Sequence, residues 1–116
     1  MQTEIERREQ VTLYVPWQDN QGNTLDPERF ADLECLLGSK FEGFTKTMGD
    51  GVYLDKNDID LCLQQEPVYV YTCLVPPGCE VAVAMKEVCQ TVLTQWEQHE
   101  VWYTVGEVVL ARNKED

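Results

Sequence analysis

Residues 68–75 read VYVYTCLV and run straight into Pro76-Pro77. β-Branched and aromatic residues on both faces of a period-two segment suit a strand inside a sheet, and the prolines close it. A central strand needs neighbours on both sides. Val11, Leu13 and Val15 alternate with Thr12 and Tyr14 up to Pro16, which predicts a half-buried strand. Val101 to Leu110 (VWYTVGEVVL) alternates as well, with Gly106 expected as a bulge in a last strand.

Two stretches carry helical spacing instead. Asp26-Pro27 predicts a helix start, because the carboxylate can accept from first-turn amides while Pro at the first position loses no hydrogen bond. Phe30, Leu33 and Leu37 follow on one face, flanked by Cys35 and Leu36, and Gly38 reads as a left-handed stop. Val81, Met85, Val88, Val92 and Trp96, with Cys89 and Leu93 beside them, predict a second amphipathic helix to about Gln98.

Between the helices, Phe44, Lys46 and Met48 alternate with Thr45 and Thr47, and Val52, Tyr53 and Leu54 follow Gly49-Asp50-Gly51. Glycine tolerates the positive φ of a tight turn, so two short strands in a hairpin are expected there, with alanine at either glycine costing folding. Ile59 to Leu63 suits an edge strand or an irregular connection, and Asp19 to Asn23 (DNQGN) a turn. Residues 1–10 lack an apolar face and are expected as a flexible lead-in, 11–112 as a single domain and 113–116 as a solvated tail. The order predicts an α+β chain: a ferredoxin-like βαββαβ two-layer sandwich, an antiparallel sheet with two helices on one face. An open face made partly of Tyr69, Tyr71 and Trp102 invites a second copy, so a homodimer is expected.

Charge narrows the partners. Nine basic residues stand against twenty-one acidic ones, a net charge of −12 in 116 residues. Such a field repels phosphate backbones and anionic lipid, which argues against direct nucleic-acid or membrane binding and leaves a protein partner with a basic surface. Five cysteines show no CxxC pair or metal-finger spacing, the first ten residues offer no apolar signal region, and no apolar run nears a spanning helix. Reduced thiols in a cytoplasmic protein are expected.

Little catalytic chemistry is written in the chain. A calcium loop started at Asp55 has Asn57 and Glu66 in register, yet Ile59 and Asp60 occupy positions that need a ligand and a glycine. No metal or cofactor is expected. His99, the single histidine, follows a predicted helix end and is favoured there by the dipole alone. Cys79, near the second helix start, is the first thiol to suspect of reactivity. No P-loop, dinucleotide fingerprint, nucleophile elbow or HExxH is present.

The pattern LL-x-x-x-F-x-G-F-T over Leu36 to Thr45, followed by Gly51-Val52-Tyr53, resembles a group of small uncharacterised bacterial domains. That group reads F-G-G-x-T and then G-x-W at the same places. The resemblance implies a fold and carries no activity with it.

Three functions remain. The first is a small acidic, non-catalytic protein that binds another macromolecule as a regulator or inhibitor, including carboxylate mimicry of nucleic acid, with Asp50, Asp55, Asp58, Asp60 and Glu66 as contact candidates. The second is a dimeric α+β barrel-like small-ligand binder or enzyme. Its apolar pocket between sheet and helices would be lined by Tyr14, Phe44, Tyr71, Met85 and Trp102. The third is a structural subunit of a larger assembly.

Overall fold

The computed structural model describes residues 2–19, 21–54 and 63–114. Six elements follow in order: β1 (Thr3–Pro16), α1 (Pro27–Lys40), β2 (Phe44–Leu54), β3 (Leu63–Leu74), α2 (Val81–Gln95) and β4 (Tyr103–Asn113). The four strands form one antiparallel sheet in the order β2-β3-β1-β4. This is the ferredoxin-like βαββαβ sandwich, with VYVYTCL (68–74) in the interior strand β3. Among the described residues no helix is long and apolar enough to cross a membrane.

Strand parity builds the core. Val11, Leu13 and Val15 of β1 and Tyr71 and Cys73 of β3 all point to one face, where they meet Phe30, Leu33 and Leu37 of α1 and Met85, Val88 and Val92 of α2. Each such side chain contributes about 1.5–3 kcal/mol on burial. Trp96, just past α2, closes one end: its indole N–H donates to the Pro16 carbonyl at 2.8 Å.

Local chemistry sets the helix ends and the first turn. Asp26 caps α1, its carboxylate accepting from the Glu28 amide at 3.0 Å, with Pro27 opening the helix. Asp19 organises the turn before it by accepting from the amides of Gln21 and Asn23 at 2.8 and 2.9 Å. Gly38 does not stop the helix. α1 runs on to Lys40 and ends where the Phe41 amide donates to Leu37 at 2.9 Å, because burying Leu37 and Phe41 on the same side outweighs a mid-helix glycine.

Three further expectations are corrected. The chain enters the sheet at Thr3, so residues 3–10 are strand, although the reading gave them as a lead-in. A buried arginine holds this polar segment: Arg8 donates through Nε and Nη2 to the Val75 carbonyl at 2.9 and 2.6 Å and pairs with Glu42 at 3.0 Å. Backbone pairing with β4 and a surface pair between Arg112 and Glu6 at 2.8 Å complete it.

Gly49-Asp50-Gly51 is not a hairpin turn. β2 is one continuous strand through it, with Gly49 opposite Val68, Asp50 opposite Pro67 and Gly51 opposite Glu66, and neither glycine has a positive φ. At Gly51 the demand is room: a Cβ there would stand 3.2 Å from the Glu66 carbonyl oxygen. Gly106 sits in unbroken register opposite Gln10, so β4 has no bulge there. Ile59–Leu63 lies outside the described residues except for Leu63, which opens β3.

The register also gives the molecule its long axis. β1 pairs with β3 only from Gln10 to Pro16, whereas β1 and β4 continue together to Thr3 and Asn113, and β2 and β3 continue to Leu54 and Leu63. Two-stranded ribbons therefore project from opposite ends of the sheet, and the extents are 60 × 26 × 23 Å.

Candidate functional site

The same parity that fills the core turns Tyr14, Pro16, Val68 and Val70 to the face without helices. Trp102 joins them just before β4, its ring centroid 5.5 Å from that of Tyr14 at an interplanar angle of 36°. Gly49 and Gly51 leave the neighbouring strand without side chains, and the result is an open cleft of about 760 Å³ over this part of the sheet.

Its chemistry is one-sided. Glu66 and Glu100 bring two carboxylates to the lining, to which Asp50 adds backbone only, since it stands opposite Pro67 on the other face, and no lysine, arginine or histidine is found among the described lining residues. Glu66 projects beside Val68, and burial raises its carboxyl above the ordinary value of 4.5. Trp102 is 64 % exposed, so a flat ligand can reach its ring. An aromatic surface beside carboxylates suits a planar group bearing positive charge or hydroxyl donors and disfavours a free anion.

The structure divides the expected pocket residues between two faces. Tyr14 and Trp102 line the cleft, whereas Tyr71 and Met85 are wholly buried in the core on the other side. Phe44 packs partly buried against Tyr71, with ring centroids 5.6 Å apart. No shared pocket between sheet and helices gathers these five, because side chains fill that layer. Tyr69 and Tyr71 likewise face the helices, so of the three aromatics expected on the open face Trp102 alone is there. Tyr71 is tied down by a hydrogen bond from its hydroxyl to Glu34 at 2.9 Å, and Glu34 also accepts from Lys46 at 2.9 Å.

Of the acidic candidates, Glu66 reaches the cleft, Asp50 stands opposite Pro67 with its side chain on the other face, and Asp55, Asp58 and Asp60 lie outside the described residues. Gln98 and Glu100 were missed, since they fall in the connection between α2 and β4 where no periodicity marks a face. His99 is exposed between them and is not part of the lining. Cys79 is half-buried against the core, two residues before α2. Among the described residues no group of three His, Cys, Asp or Glu side chains could hold a metal ion.

No family model and no curated protein matches the chain. In fold it is similar to a phage SAM lyase. The lyase in complex with S-methyl-5'-thioadenosine superimposes with a TM-score of 0.67 at 13 % identity, covering 93 % of this chain and 91 % of that one. The lyase in its apo state gives 0.64 at 12 % identity, covering 94 % and 91 %. A Bacillus cereus protein related to NIF3 gives 0.55 at 16 % identity, with 93 % of this chain matched to 29 % of that chain. At these identities the likeness is one of architecture, and it extends over nearly the full length of the lyase.

Proposed function

We propose that this chain binds a small organic cation with a planar heteroaromatic part, of the S-adenosylmethionine class, in the cleft on its open sheet face. The observation that carries the reading is the Tyr14–Trp102 aromatic pair in a lining that contains the carboxylates of Glu66 and Glu100 and no basic side chain among its described residues. A purine ring stacks on an exposed indole, and a sulfonium or ammonium group gains from nearby carboxylates. The fold shared with a lyase that holds S-methyl-5'-thioadenosine supports that ligand class as the first to try. Free thiols at Cys35, Cys73, Cys79 and Cys89 accord with a reducing compartment such as the cytoplasm.

Calorimetric titration with S-adenosylmethionine and with S-methyl-5'-thioadenosine tests the reading. Trp102→Ala is expected to weaken both by about tenfold or more, as for loss of one base-stacking contact. Glu66→Gln should weaken the sulfonium compound more than the neutral thioether. A protein that binds neither would overturn the assignment.

A second reading keeps the acids for a protein partner with a basic surface. Exposed Glu28 and Asp32 on α1, away from the cleft lining, favour it. Its signature would be a partner recovered from source cells whose affinity falls as salt is raised.

A further inference from the structure

We propose that the cleft selects, within the ligand class above, compounds whose tail ends in a primary ammonium and carries no carboxylate, with Glu66 as the residue that reads the tail. The inference deepens the reading above and rests on it.

The register lays the cleft out in rows. Trp102 and Tyr14 form an aromatic row beside Val70, Pro16 and Gly49 flank Val68 in the next, and Gly51 stands opposite Glu66 in the last. At about 3.3 Å per residue, the run from Val70 to Glu66 puts that carboxylate on the order of 13 Å along the sheet from the aromatic row. The row between them is apolar. A purine stacked on Trp102 would carry its sulfur over Val68 and Pro16, and the far end of the propyl chain would arrive at Glu66. Glu100 enters just before Trp102, at the ring end, where a carboxylate can accept from ribose hydroxyls.

Glu66 is half-buried. Among the described residues no cation or hydrogen-bond donor reaches its carboxylate, and burial alone raises its carboxyl. A carboxylate drawn from water without a partner gains from a cation that arrives with the ligand. A primary ammonium on a flexible chain brings both the charge and the hydrogen-bond donors.

A carboxylate on the same carbon as that ammonium would cancel the gain. It would stand beside Glu66, and like charges a few ångströms apart in a partly buried site repel. The described lining has no lysine, arginine or histidine to receive it. Residues 55–62, outside the described structure, contribute three aspartates against one lysine to the net charge of −12, a field that repels carboxylates and draws cations. In S-adenosylmethionine the tail's ammonium and carboxylate offset each other. In its decarboxylated form the ammonium stands alone and adds to the charge of the sulfonium.

Calorimetric titration of the full chain with S-adenosylmethionine, with its decarboxylated form and with S-methyl-5'-thioadenosine tests the selection. The decarboxylated compound is expected to bind about tenfold or more tighter than S-adenosylmethionine. Glu66→Gln should weaken the decarboxylated compound most, S-adenosylmethionine less and the thioether least, closing most of that gap. Glu66→Lys should reverse the order by receiving the carboxylate. Trp102→Ala should weaken all three alike and leave the gap unchanged, which separates holding the ring from reading the tail. Equal affinities for the two charged compounds, a preference for S-adenosylmethionine, or a gap that survives Glu66→Gln overturns the proposal and leaves the ligand class in place. Binding of the thioether without either charged compound does the same. Binding of none of the three overturns the reading beneath it as well.

Discussion

The hydroxyl of Tyr71 donates to Glu34 Oε2 at 2.9 Å, joining the interior strand β3 to α1 through a residue whose ring is wholly buried. Burial and the Glu34 carboxylate together raise the phenol well above its ordinary range, so it remains a donor at every working pH. Lys46 holds the same carboxylate oxygen and lies 4.1 Å from the Tyr69 ring centroid. Tyr71→Phe therefore leaves Glu34 with one partner, and a loss of about 1.5 kcal/mol is expected in urea unfolding. A variant as stable as wild type would mean the bond contributes nothing net.

The two glycines of β2 should respond differently to alanine. At Gly51 the new Cβ meets a backbone oxygen at 3.2 Å, which must shift, so Gly51→Ala should cost about 1–2 kcal/mol. At Gly49 the nearest atoms are Val70 Cγ2 at 3.7 Å and Val68 Cγ2 at 3.8 Å, an ordinary contact, and the change should stay within about 0.5 kcal/mol. Gly49→Ala instead adds a methyl to the cleft wall and should weaken ligand binding. Equal, large losses at both positions would revive a turn at this place.

Glu66 gives stability a pH signature. Its native carboxyl is raised above 4.5 by burial, so the native state holds the proton more tightly than the unfolded chain. Stability contributed this way is present below 4.5 and falls as pH rises through the raised value. Glu66→Gln cannot titrate. In dilute protein, its stability relative to wild type should grow from acid pH to neutrality and then level off, and a difference flat with pH would contradict the burial.

Thiol labelling offers an independent check on the core. Cys73 is fully buried and burial pushes its thiol up to about 11, whereas Cys35 is exposed on α1. Iodoacetamide at mildly alkaline pH should modify Cys35 well before Cys73, because burial both disfavours the Cys73 thiolate and keeps the reagent from it. Comparable rates would show that β3 opens to solvent.

The sequence exposed the parts of this fold that repeat. Val11-Leu13-Val15 shows the two-residue period of a strand with one covered face, whereas residues 68–75 are apolar on both faces, so the reading set Tyr69 and Tyr71 on the open side and Tyr14 with the core residues, and only the register between β1 and β3 exchanges them. Helical spacing from Phe30 and from Val81 announced both helices. What escaped was structure supported by single contacts. Arg8 anchors a polar strand by reaching a carbonyl far along the chain, and no local pattern reveals that. Gly49 and Gly51 carry the same letter in a turn and in a crowded strand, and only the opposing residue distinguishes the cases. The cleft was half legible: Tyr14 and Trp102 were singled out as pocket residues and Glu66 as an acidic contact, and the register brought these three to one face.

The ribbon of β1 and β4 has one more consequence. The Lys114 amide donates to the Gln2 carbonyl at 3.0 Å, so the two ends of the described chain meet at a single tip. Probes attached at Gln2 and at Lys114 would report from the same corner of the molecule, although 112 positions separate them in sequence.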